Sequence, residues 1–186
     1  MKRVLAVLVV VFLLSGCSAG NAELDRAMNL REKLLKSEGI QFNAKITADY
    51  ADEIYTFSME CRIDSKGDLS FKVTAPETIS GISGTVSDTG GQLTFDNTAL
   101  AFKLLADGQI TPVSAPWLMF DAMRSGYISA SGKDADRICI CIDDSYQDEM
   151  LHTDIWVNSD GVPVSGEILW KGRRIMSVQV DNFTFV

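Results

Sequence analysis

The chain has 186 residues, with 17 Lys and Arg against 25 Asp and Glu and a single His, a formal net charge of −8. That balance excludes the basic footprint by which proteins hold nucleic acid or anionic membrane surfaces. The length suits one domain with a real core and is too short to expect two.

Met1-Lys2-Arg3 makes a basic start, Val4 through Leu14 is an unbroken apolar run, and Leu14-Ser15-Gly16-Cys17 ends it with small residues before a cysteine. This order predicts a signal peptide. The apolar run is roughly eleven residues, and a permanent span needs about twenty. Leu14-Ser15-Gly16-Cys17 resembles the lipobox of bacterial lipoproteins. The resemblance implies removal of residues 1–16 and diacylation of Cys17, so that residues 17–21 are a lipidated cysteine with a short tether and 22–186 the folded domain. Loss of Lys2 and Arg3 with the leader leaves 15 basic against 25 acidic side chains, a net of −10. Contact with a bilayer is therefore expected through the two acyl chains on Cys17, since one chain alone holds only weakly. The expected place is extracytoplasmic, on the outer face of the cytoplasmic membrane. Ser18 resembles the residue that permits outer-membrane sorting, which applies only to a Gram-negative host.

Asn21 suits a helix N-cap, Glu23 and Asp25 suit the first turn, and Leu24, Ala27, Met28, Leu34 and Leu35 recur near helical spacing until Gly39. The period then changes to two. Phe42, Ala44, Ile46, Ala48 and Tyr50 form one apolar row; Tyr55, Phe57, Met59, Cys61 and Ile63 form a second, and Leu69, Phe71 and Val73 a third, with turns at Ala51-Asp52 and Lys66-Gly67. Ile79 to Val86, Gln92 to Phe95 and Ala99 to Leu104 add short strands, parted at Asp88 to Gly91 and at Asp96-Asn97. Ser114 to Arg124 predicts a helix, with Pro116 in its first turn and Gly126 just past its end. Its only charged residues are Asp121 and Arg124, so it must cover something apolar. Strands resume over Tyr127 to Ala130, Ile138 to Ile142, Leu151 to Val157, Val164 to Trp170 and Arg174 to Phe185, with turns at Asp160-Gly161 and Lys171-Gly172.

Catalytic chemistry is not expected. A nucleophile needs a base beside it, and His152 stands alone at a strand start. Gly81, Gly84, Gly90 and Gly91 lie among strands and turns and read as bends and bulges, with no phosphate loop. Asp143, Asp144, Asp148 and Glu149 lack the order and central glycine of a calcium loop. Cys139, Cys141 and a distant His152 do not supply four zinc ligands at a recognisable spacing, so neither metal nor cofactor is expected. Cys139 and Cys141 alternate along one strand, near the 7 Å limit for bridging. A bridge from Cys61 to either stays open, as does the reading of all three as small buried hydrophobes.

Apolar surface is what remains. In Ile138-Cys139-Ile140-Cys141-Ile142 and Ile168-Leu169-Trp170 both faces are apolar, which in an antiparallel sheet means that both are covered or one lines a cavity. Either the helix Ser114 to Arg124 seals that face, making Trp117, Phe120 and Met123 core, or they line a pocket.

The order of helix, meander, covering helix and meander resembles the LolA/LolB-like group of lipoprotein-handling proteins, to which the mycobacterial lipoprotein LppX also belongs. The segments that carry the likeness are Asp68 to Val73 running into Pro76 and the final strand Arg174 to Phe185. The resemblance implies an α+β fold: a curved antiparallel half-barrel with an N-terminal helix and a covering helix inserted between strands. It further implies a concave side that binds a lipid or acylated ligand, with Trp117, Phe120, Met123, Ile140 and Trp170 as the residues against it. With so short a tether, a local, membrane-held acceptor is expected rather than a shuttle. The reading from another class is an envelope interaction or sensor scaffold with a filled core.

Overall fold

A computed structural model describes residues 22–186 except 97, 104, 107, 108, 147 and 148. The expected signal peptide, Cys17 and Asn21 lie outside the described residues, as do Asn97, Leu104 and Asp148.

The chain opens with α1 (Ala22–Lys36), acidic in its first turn and basic in its last, which suits the helix dipole. Next come β1 (Gly39–Asp49), β2 (Ile54–Asp64), β3 (Leu69–Ala75), a 3₁₀ turn at Glu77–Ile79, β4 (Ser83–Ser87), β5 (Gly90–Phe95) and β6 (Thr98–Phe102). A two-residue pair, β7 (Leu105–Ala106) and β8 (Gln109–Ile110), leads through a second 3₁₀ turn into α2 (Ala115–Ser125). The chain closes with β9 (Tyr127–Asp134), β10 (Arg137–Tyr146), β11 (Glu149–Val157), β12 (Pro163–Trp170) and β13 (Arg173–Phe185).

Eleven of these strands form one open antiparallel sheet in the order β6-β5-β4-β3-β2-β1-β13-β12-β11-β10-β9. Each meander pairs strand to next strand, and β1 against β13 joins them in the middle, with Ala44 opposite Val180 and Ile46 opposite Val178. The architecture is α+β, a curved half-barrel with two helices, as the sequence predicts. Strand alternation decides which side is concave. Ile40, Phe42, Ala44, Ile46 and Ala48 are buried, as are Phe57, Met59, Cys61 and Ile63, and Leu69, Phe71 and Val73.

Helix α2 fills the concave side over β10 to β13, and eight of its eleven residues are buried. Its approach depends on Gly166 of β12, where an added Cβ would meet the Met119 sulfur at 2.7 Å. The two helices hold each other's ends. Arg31 of α1 donates from Nε to the Met123 carbonyl and from a terminal nitrogen to that of Gly126, both at 2.7 Å. In return Arg124 of α2 donates to the Leu34 carbonyl at 3.3 Å and to that of Ser65 at 3.0 Å. The last carbonyls of a helix lack partners along the chain, and cations there are favoured.

Several boundaries differ from the sequence reading. The strand expected over Ile79 to Val86 begins only at Ser83, because residues 76–82 turn back on themselves: Ile79 donates to the Pro76 carbonyl, and Gly81, at φ +92°, to that of Val73. β9 and β10 run longer than expected and meet at Ala135-Asp136, where Ala135 takes φ +55° with no glycine to announce it. Cys61 faces the concave side of β2, five strands from β10, and the three described cysteines are free, so neither bridge from Cys61 forms. The strands read as apolar on both faces are divided by the sheet. Ile138, Ile140 and Ile142 are buried inward, while Cys139 and Cys141 point to the convex side, half-buried, beside polar neighbours.

Candidate functional site

Helix α2 covers only one arm of the concave side. On the other arm, Leu93 of β5 lies opposite Gly84 of β4 on one side and Leu100 of β6 on the other. Gly84 packs under the Phe71 ring and Gly91 under that of Phe102, so the aromatics lie flat along the sheet. By alternation Leu93, Phe95, Leu100 and Phe102 continue the concave face outward from buried Leu69, Phe71 and Val86. Burial fades along it: Leu93 and Phe102 are half-buried, Phe95 is 55 % exposed and Leu100 is 65 % exposed.

At the root of this arm lies a cleft of about 880 Å³, within the usual size of small-ligand sites. Phe57, Val73, Ile79, Ile82 and Leu93 wall it from the strand side, and Ile110 and Val113 close it from the segment before α2. That segment is pinned to the sheet by a hydrogen bond from the Tyr50 hydroxyl to the Ile110 carbonyl. Burial pushes the Tyr50 phenol up to about 12, so it stays a donor across neutral pH. The rim carries Asp52, Glu53, Thr56, Thr78 and Thr111, and among the described residues that line the cleft there is no Lys or Arg. The cleft is therefore apolar within and acidic at its mouth.

The five residues singled out from the sequence lie elsewhere. Trp117, Phe120, Met123 and Ile140 are each at most 4 % exposed, and Phe120 packs tilted against Phe42 at 4.8 Å and stacks on Phe183 at 5.9 Å. Trp170 is half-buried on β12, with the Lys171 ammonium 4.1 Å above its ring. None of the five lines the cleft. The residues that do were visible in the sequence as alternating apolar positions. Which of them the inserted helix leaves uncovered depends on where that helix lands.

On the convex side, His152 of β11 lies between two carboxylates: Nδ1 is 2.7 Å from Asp143 and Nε2 is 3.0 Å from Asp154. Burial pulls against its protonation, but the hydrogen bonds and charges of Asp143 and Asp154 outweigh it and raise its pKa. The ring thus sits between two carboxylate acceptors that favour its protonated form. Burial and the Asp154 carboxylate push the Cys141 thiol up to about 12, the opposite of what a nucleophilic cysteine requires. The thiols of Cys139 and Cys141 and a carboxylate oxygen of Asp154 lie within 4.8 Å of one another, the one group among the described residues with ligands close enough to share a metal ion.

No protein-family profile and no curated protein matches the chain. Solved structures share its fold. A DUF1329 family protein from Desulfovibrio piger aligns over 88 % of this chain and 92 % of its own, with TM-score 0.51 and 9 % identity. A domain from Vibrio parahaemolyticus, described in connection with outer membrane lipoprotein sorting, gives the same coverage and identity with TM-score 0.50. A LolA superfamily protein from Nitrosomonas europaea aligns over 86 % of this chain and 93 % of its own, with TM-score 0.48 and 11 % identity. At 9 % identity the likeness to the Desulfovibrio piger and Vibrio parahaemolyticus structures is one of fold.

Proposed function

We propose that this protein is a membrane-anchored envelope lipoprotein that binds a lipid or the acyl chain of another lipoprotein, without catalysis, along the uncovered arm of its concave face. The observation that carries the reading is the cleft walled by Phe57, Val73, Ile82 and Leu93, whose apolar lining runs out to the exposed Phe95 and Leu100. An acyl chain suits such a surface because each CH₂ buried is worth about 0.8 kcal/mol, in a bilayer or in a pocket, so transfer between them needs no bond chemistry. Trp117, Phe120, Met123 and Ile140 then act as the packed wall that holds the arm open, with Trp170 at the edge of that wall.

The acidic rim narrows the ligand. Asp52 and Glu53, with no cation among the lining residues, disfavour a phosphate or carboxylate headgroup. A neutral glyceride or the amide-linked acyl chain of a lipoprotein fits better. The anchor is the diacylated Cys17, with four residues between it and Ala22, the first residue of α1. Extended, that tether spans roughly 14 Å, which keeps the domain against the membrane.

Native mass spectrometry of the protein purified from the envelope tests the reading. A bound mass in the range of a glyceride or an acylated peptide is expected, and its loss on incubation with detergent should leave a form that takes up neutral lipid in preference to phosphatidylglycerol. A clean apo mass that persists after incubation with vesicles of either lipid contradicts it. Edge strand β6 favours a second reading. Thr98 to Ala101 are all exposed there, and an unpaired strand edge is a template for an extended segment of another protein. In that case crosslinks should form at β6 with the cleft empty.

A further inference from the structure

The convex face of the second meander carries a separate group of side chains. Along β10 stand Cys139, Cys141 and Asp143; along β11, in register, stand Trp156, Asp154 and His152, so that Cys141 lies opposite Asp154 and Asp143 opposite His152. On the far side of β10, Gly132 and Ala130 of β9 lie opposite the two cysteines and leave the thiols half-exposed. Trp156 closes one end of the row, its indole N–H donating to Asp134 at 2.7 Å. Beside Asp154 on β12 stands Glu167, whose charge is taken by Arg174 at 2.7 Å.

We propose that Cys139, Cys141 and Asp154 form a zinc site, with two thiolates and one carboxylate oxygen as ligands and the fourth position open to solvent. The three ligand atoms lie within 4.8 Å of one another. A tetrahedral zinc holds sulfur and oxygen about 3.5–3.8 Å apart, so closure takes a small side-chain adjustment with the strands left in place. Two sulfurs exclude magnesium and calcium, and the mixed sulfur and oxygen set suits Zn²⁺. His152 is a positioning residue. Its Nε2 lies 3.0 Å from one Asp154 oxygen and leaves the other for the metal, while its Nδ1 is held by Asp143. A ligand oriented by a hydrogen-bonded neighbour is the usual construction of such sites. Binding forms two Zn–S bonds and releases the two thiol protons to solvent, with no change of oxidation state.

The test is titration of the full chain, reduced and desalted, with Co²⁺ alone and then with Zn²⁺. The expected result is one equivalent of Co²⁺ bearing a sulfur-to-cobalt charge-transfer band and tetrahedral d–d bands, displaced by one equivalent of Zn²⁺. Cys139→Ser and Cys141→Ser should each lose about half of the charge-transfer intensity, and the double variant all of it, whereas Cys61→Ser and Cys17→Ser should titrate as the wild type. His152→Ala should weaken zinc binding by about tenfold, with the cobalt spectrum kept. Circular dichroism confirms that each variant is folded. A reduced wild type that gives no charge-transfer band, or a double variant that still binds one equivalent of Zn²⁺, overturns the proposal.

Discussion

Asp121 is the one acidic residue of a helix that is otherwise almost wholly buried. Burial, with a further push from Asp144 against the pull of Arg124, raises its carboxyl to about 6. The folded state therefore holds the proton more tightly than the unfolded chain, so the contribution of this group to stability is fully present below pH ~4 and is lost as pH rises through about 6. Asp121→Asn should remove that loss. The expected gain at pH 7 is about 1 kcal/mol, discounted because the group is partly exposed, and it should vanish at pH 3.5; urea unfolding at the two pH values measures it. Equal effects at both would show that the carboxyl does not titrate as the surroundings of α2 require. Neither this residue nor the convex row of Cys139, Cys141 and Asp154 could be weighed from spacing along the chain. Reading zinc ligands along the sequence found only two cysteines and a remote histidine, because the third ligand arrives by strand register from β11.

The elements themselves were largely legible. Period-two rows in β1, β2 and β3 match the buried side chains over Phe42 to Ala48, Phe57 to Ile63 and Leu69 to Val73, since alternation is a property of the strand alone, while Tyr50 is half-buried and Tyr55 exposed where the β1–β2 turn leaves the core. Boundaries failed where the cause was not local: the turn after Pro76 depends on Gly81 reaching back to Val73, and the β9–β10 turn on an alanine forced to positive φ by its flanking strands. The exchange of Arg31 and Arg124 between the two helix ends was equally invisible, as it links residues 90 or more apart. Its energetic weight can be measured. Arg31→Met keeps most of the stem but leaves the Met123 and Gly126 carbonyls without their charged donor, and should lower unfolding free energy by about 1–3 kcal/mol in denaturant titration. No change would mean that water replaces the guanidinium at no cost.

At the scale of the whole molecule, one sheet serves two purposes. The arm from β10 to β13 is closed by α2 with the packing of an ordinary core, and the arm from β3 to β6 keeps its concave face open, with burial fading from Phe71 through Leu93 to Leu100. The resemblance implied the half-barrel, and the apolar make-up of Ser114 to Arg124 a helix that covers it; which arm stays uncovered is decided by the path of residues 109–114 across the sheet, held by Tyr50 at Ile110. Uptake of an environment-sensitive fluorescent fatty-acid ester by cleft variants tests whether an acyl chain lies along the open arm. Leu93→Glu and Ile82→Glu, each half-buried in the cleft wall, should lose most of the uptake, while Met150→Glu, at a position 70 % exposed and outside the cleft, should bind as the wild type. Uptake unchanged in both cleft variants, with their fold intact, would show that no acyl chain lies along the open arm.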